Sequence, residues 1–286
     1  MTGVTTRQTL ESVVPAALSP RPERWPLRQV LAQQAAHAGL ALHLPAHRRG
    51  LGRAFHWPRL PWPWDLPELP AVGGPLLTEG AVAESQSLVA AALGVDFSWY
   101  GVNGATGMLQ AGLLAMANPG QSLLLPRNSH RSLLQACALG GIYPLLFDLP
   151  FLPDRGHVAA VDHTWLERVL TSAALQSHQP VGAVLVQPTY NGYAVDPAPL
   201  IERLHQRGLP VLVDEAHGSH FAADVDPDLP PSALRGGADL VVHSLQKSAT
   251  GLAQTAVLWQ QGERVDTSAL ERSLGWLQTT SPSALL

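Results

Sequence analysis

From Glu84 onward, short apolar runs alternate with stretches of helical length, and this alternation narrows the possible folds more than any other feature of the chain. The runs are Ser122–Leu125, Tyr143–Phe147, Gly182–Val186, Val211–Val213, Leu240–Val242 and Thr255–Trp259. Helices are expected near residues 84–93, 106–117, 130–139, 162–175, 197–207 and 268–278. A strand that is apolar at successive positions has both faces buried, and a helix between two such strands supplies the crossover that parallel pairing needs. The expected fold class is therefore α/β, a mostly parallel sheet flanked by helices. Sheets of this kind bind ligands beyond the C-terminal ends of their strands, so chemistry is to be sought just after each run.

Four segments occupy such positions. Asn103-Gly104-Ala105-Thr106-Gly107 follows the run Ser98–Val102 and opens a helix. Small residues with free backbone N–H groups at a helix N-terminus can cup a phosphate, although an ordinary glycine turn has the same composition. In Pro126-Arg127-Asn128-Ser129-His130-Arg131, His130 can stack on a flat cofactor or serve as an acid or base; alternatively, Ser129 or His130 caps the next helix. The third is Val213-Asp214-Glu215-Ala216-His217-Gly218-Ser219-His220. A carboxylate after a buried strand is expensive without a partner. An acidic helicase box is excluded because no Walker A lysine exists. A metal held by Asp214, His217 and His220 has feasible spacing but no further ligand cluster, so no metal is expected. The remaining candidate is the protonated pyridine nitrogen of pyridoxal phosphate, opposite Asp214.

The fourth segment, Asp239 to Gly251, decides among these. It contains Lys247, the one lysine among 18 lysine and arginine residues. Arginine stays protonated, whereas lysine can lose its proton and act as a nucleophilic amine. A lone lysine just past a buried strand, one strand–helix–strand unit beyond Asp214, is placed to form a Schiff base with a carbonyl cofactor. Phosphate cup, histidine, strand-end aspartate and lysine, in that chain order, describe a pyridoxal-phosphate site in the large domain of an aspartate-aminotransferase-like fold.

Other functions are disfavoured by composition. The net charge is −4 with no basic run, which argues against a nucleic-acid partner. One cysteine, Cys137, fits a reducing compartment. Neither a signal peptide nor a membrane span is expected, so the protein is expected to be soluble and cytoplasmic. Residues 1–75 form an N-terminal region, with a helix expected over Arg28–Leu42 and a Pro/Trp-rich arm over 57–75; residues 76–286 form the large domain.

The segments Asn103–Gly107, Arg127–His130, Pro188–Gly192, Val213–Gly218 and Ser244–Lys247 together resemble the prokaryotic Orn/Lys/Arg decarboxylase family of fold-type I pyridoxal-phosphate enzymes. Leu44–Gly50 and Leu277–Ser283 are similar to two further signatures of that family, and the match covers roughly residues 40–286. The resemblance implies that Lys247 carries the cofactor, Asp214 salt-bridges its ring nitrogen and His130 stacks on the ring. Ala105, Thr106 and Ser244 would hold the phosphate, with Ala216 under the ring and His217 close by. Lys247, His130 and His217 would be catalytic, releasing carbon dioxide and an amine from arginine, lysine or ornithine in polyamine metabolism. A homodimer is implied as well. The chain departs from the family at Gln246, where a histidine is usual and a hydrogen bond to phosphate could survive, and at Ala46 and Arg48. The family also continues into a small C-terminal domain, so the large domain is expected to be incomplete. Two other functions fit the same scaffold: an aminotransferase or carbon–sulfur lyase, and a truncated paralogue that binds cofactor without catalysis.

Overall fold

The computed structural model describes residues 73–280 and Pro282, apart from 173, 174, 176 and 225. The helix expected over Arg28–Leu42, the signature at Leu44–Gly50 and nearly all of the Pro/Trp arm lie outside the described residues.

Nine strands and seven α-helices follow in the described region. Strands β1 (Phe97–Gly101), β2 (Ser122–Pro126), β3 (Tyr143–Phe147), β6 (Pro180–Val186), β7 (Val211–Asp214), β8 (Leu240–Ser244) and β9 (Ala256–Gln260) form one sheet in the order β1-β9-β8-β7-β6-β2-β3. The pairs β3-β2, β2-β6, β6-β7 and β7-β8 are parallel. Both pairs made by β9, with β8 and with β1, are antiparallel. A separate two-stranded hairpin, β4 (Phe151–Leu152) and β5 (His157–Val158), was not legible in the sequence.

The helices are α1 (Ala81–Leu93), α2 (Gly104–Met116), α3 (Arg131–Gly140), α4 (His163–Thr171), α5 (Ala198–His205), α6 (Leu245–Ser248) and α7 (Thr267–Leu277). Asp162 starts α4 by accepting the Trp165 N–H at 2.7 Å, and Asp266 starts α7 by accepting those of Ser268 and Ala269. Helix α4 ends four residues earlier than expected, where Ser172 turns to extended backbone.

Alternation along the central strands builds a core on each face of the sheet. Leu212, Leu240, Val242 and Leu258 face Met108, Leu109 and Leu113 of α2, Leu133 of α3, and Leu270 and Leu274 of α7. Val211, Val213, Val241, Val257 and Trp259 face Leu166 and Leu170 of α4 and Leu200, Ile201 and Leu204 of α5. Leu212, fully buried between the sheet and α2, should be among the most sensitive positions. Leu212→Ala is expected to cost about 2–5 kcal/mol, read as a lower urea midpoint with an unchanged slope.

The parallel strands all end on one edge. Pro126, Phe147, Val186, Asp214 and Ser244 close them, and the N-terminus of α2 opens at the same edge. No helix among the described residues is long and apolar enough to cross a membrane.

Candidate active site

A cleft of about 400 Å³ opens at this edge, and all nine residues expected from sequence line it: Ala105, Thr106, His130, Asp214, Ala216, His217, Ser244, Gln246 and Lys247. Asn103, Gly104, Tyr190 and Gln254 line it too.

At the cup, Asn103 precedes α2 but does not cap it; its amide donates to the Leu277 carbonyl at 3.2 Å. The Ala105 and Thr106 N–H groups in the first turn of α2 therefore stay available to an anion, aided by the helix dipole. Gly104 holds φ at +67°, a conformation costly for any residue with a Cβ, and its N–H donates to the Gln254 carbonyl at 2.8 Å. Gln254 in turn donates its N–H to the side-chain carbonyl of Gln246 at 3.1 Å. At position 246, where the chain departs from the family, the glutamine amide thus pins the loop that orients the cup. Ser244 adds a buried hydroxyl with no hydrogen-bond partner among the described residues. An orphaned hydroxyl beside unused helix N–H groups suits a phosphate.

Deeper in the cleft, Asp214 ends β7 and is buried, its Oδ1 accepting the Ala216 N–H at 3.2 Å. Burial pushes this carboxyl above the usual carboxylate range, opposed by that N–H and by the charges of Lys247 and His130. Lys247 stands on α6, directly after β8, and its Nζ lies 2.9 Å from Nε2 of His217. Burial lowers the Lys247 ammonium below the ordinary lysine range, partly offset by Asp214. Burial also lowers His217, with the Lys247 and His130 charges acting the same way. Burial thus acts on both members of this hydrogen-bonded pair in the same direction, disfavouring the charged form of each.

His130 caps the next helix, one of the two readings the sequence left open, and it also borders the cleft. Its Nδ1 accepts the Ser132 N–H at 3.3 Å, capping α3, and its ring lines the cleft. Burial lowers it too, and Asp214 opposes the shift. Tyr190, which sequence reasoning did not single out within its motif, sits edge-on to His217 with centroids 5.6 Å apart. Arg155, beside the unforeseen hairpin, donates to the Tyr193 hydroxyl at 2.7 Å and so braces the loop that carries Tyr190. Among the described residues, no group of three or more histidine, cysteine or acidic side chains is placed to hold a metal. His220 instead packs on Phe221.

Comparison with known proteins gives three findings. The family described as Orn/Lys/Arg decarboxylase, major domain, matches residues 26–286. An arginine decarboxylase of Halalkalibacterium halodurans is 30% identical over 93% of this chain and 54% of its own length, and one of Bacillus subtilis is 28% identical over 91% and 53%. The chain thus spans about half the length of the relatives it matches. Among solved structures, lysine decarboxylase A of Pseudomonas aeruginosa superposes with a TM-score of 0.66 at 21% identity, over 90% of this chain and 38% of that one.

Proposed function

Because the chain belongs to the Orn/Lys/Arg decarboxylase family, we propose that it binds pyridoxal 5'-phosphate through Lys247 and decarboxylates a basic amino acid. The observation that carries this reading is the sole lysine, depressed by burial and 2.9 Å from an imidazole, in a cleft that also contains a buried carboxylate.

The residues present fit the cofactor's parts. The α2 N-terminus and the Ser244 hydroxyl would hold its phosphate, and His130 and Ala216, which line the same cleft, would hold its ring. Once bound, pyridoxal phosphate supplies an electron sink for the pair left behind when a carboxylate departs as carbon dioxide. Asp214 would hold a proton at the ring nitrogen. His217 takes and returns a proton at the Lys247 amine, which is nucleophilic only when neutral. Tyr190 shields that pair from one side. Among the described residues, Asp214 is the only acidic one lining the cleft, so the groups that grip the substrate's distal cation are to be sought in the rest of the polypeptide or in a second copy of the chain.

Incubation with arginine, lysine and ornithine, scored for amine and carbon dioxide, tests the reaction. Keto-acid formation without carbon dioxide would transfer the chain to aminotransferase chemistry; bound cofactor without any product would favour a non-catalytic paralogue. The cofactor claim has a separate readout. Borohydride should fix pyridoxal phosphate onto the peptide containing Lys247. Because burial favours the free amine, labelling should rise with pH and level off below the pH at which an exposed lysine does.

A further inference from the structure

Opposite the cleft, the same strand ends carry a second set of polar side chains. Successive residues of a strand point to opposite faces. Asp214, Ala216 and Ser244 point to the cleft side, and Glu215, His243 and Trp259 point to the other. Glu215 is fully buried and His243 is 1% exposed, so each must be satisfied within the protein. Glu215 Oε1 accepts the Ala233 N–H at 2.9 Å, and Oε2 accepts the Ser232 hydroxyl at 2.5 Å. His243 Nε2 lies 2.7 Å from Glu215 Oε2, and its Nδ1 accepts the Trp259 indole N–H at 2.9 Å.

These contacts permit one arrangement of protons. An indole N–H only donates, so Nδ1 of His243 carries no proton. The imidazole proton therefore sits on Nε2 and is donated to Glu215, which remains a carboxylate with three donors. Every atom is satisfied, and the chain of bonds runs from β9 through β8 to β7 and on to the turn at Ser232–Ala233. Packing also keeps the carboxylate in place: a Cβ at Gly218 would come within 2.5 Å of Glu215 Cγ and 3.0 Å of Pro188 Cδ. Glycine at 218 leaves the room that Glu215 occupies.

We infer that Glu215, His243 and Trp259 are positioning residues that fix the relative placement of Asp214 and Ser244, one residue away on each strand, by holding His243 in a single tautomer. This deepens the pyridoxal-phosphate reading and rests on it. A cofactor held at its ring nitrogen by β7 and at its phosphate by β8 requires those two strand ends to keep a fixed separation.

Glu215→Gln is the informative substitution. Wherever its amide NH₂ is placed, it meets either the Nε2–H of His243 or the N–H of Ala233. Moving the imidazole proton to Nδ1 would only turn it against the Trp259 indole. The variant should retain pyridoxal phosphate about tenfold more weakly than the parent protein, measured by equilibrium dialysis. Adding Trp259→Phe frees the imidazole to take its proton on Nδ1, so the double variant should recover most of that loss, whereas Trp259→Phe alone should bring no gain. Additive losses in the double variant would overturn the inference, because packing defects accumulate and a relieved donor conflict does not.

A second measurement reads the tautomer in the parent protein itself. Long-range ¹H–¹⁵N correlation spectra of the cofactor-free protein, with His243 assigned by its disappearance in His243→Gln, should show the Nε2–H tautomer. An Nδ1–H or doubly protonated ring would overturn the lock. If the parent protein shows that tautomer yet never binds pyridoxal phosphate, it is the reading of the cleft that fails, and the positioning role falls with it.

Discussion

Lys247→Arg should abolish covalent capture of pyridoxal phosphate and reduce turnover roughly 10⁴-fold or more, the scale on which loss of a nucleophile is felt in other enzymes. The substitution is chosen to separate charge from chemistry. Arginine keeps a cation near Asp214 and resembles lysine in length, so the electrostatic frame of the cleft is retained. What it lacks is an amine that can lose its proton. In the parent protein burial already moves Lys247 toward that neutral form. Borohydride treatment followed by mass spectrometry of the intact protein reads the result directly: the parent chain gains the cofactor's mass, and the variant does not. Label persisting on the variant would place the reactive group elsewhere in the chain.

Asp214→Asn should act on the reaction while leaving capture intact. The asparagine carbonyl can still accept the Ala216 N–H now held at 3.2 Å, so local geometry is preserved. The negative charge opposite the ring nitrogen is lost, and removal of one preorganised electrostatic group costs roughly 10²–10³-fold in kcat. The cofactor should still be fixed at Lys247. A second effect has a definite sign. Burial raises the Asp214 carboxyl above its unfolded value, so the folded protein holds that proton more tightly than the unfolded chain. The associated stability is fully present at low pH and is lost as pH rises through the raised value. Thermal melts of the cofactor-free protein should therefore show the parent losing stability over that rise and Asp214→Asn not sharing the loss. Equal slopes in the two proteins would mean that this carboxyl is not held protonated by the fold.

The parts of this structure that were legible from sequence share one property: they are written in local pattern. Strands β2, β6, β7 and β8 appear as apolar runs because both of their faces are buried, and Lys247 stands out because every other cation is arginine. Strand direction is not written that way. An apolar run such as Ala256–Gln260 looks the same whichever way its neighbours run, so the antiparallel placement of β9 between β8 and β1 emerges only from the fold. The hairpin Phe151–Val158 has two-residue strands, too short to establish any period. At the cleft, residues at strand ends and helix starts were found, whereas Gln254 was not. It acts through backbone groups in a loop with no apolar pattern, and its side chain gives no clue. Glu215 and His243 were within sight, since alternation from Asp214 and Ser244 sends them to the rear face.

The outer strand β3 has a consequence for strand pairing at the edge of the sheet. The Tyr143 N–H bonds inward to Gln121, so the next residue along would point its donor away from the sheet. That residue is Pro144, which has no donor. An incoming strand seeking to extend the sheet there would meet a gap in the row of hydrogen bonds at the place where pairing has to begin. With Tyr143 63% exposed and Leu146 also open to water, this edge would otherwise invite intermolecular pairing. Pro144→Ala would restore the missing N–H at this edge of the seven-stranded sheet, and the variant should aggregate more readily than the parent protein when both are followed by light scattering.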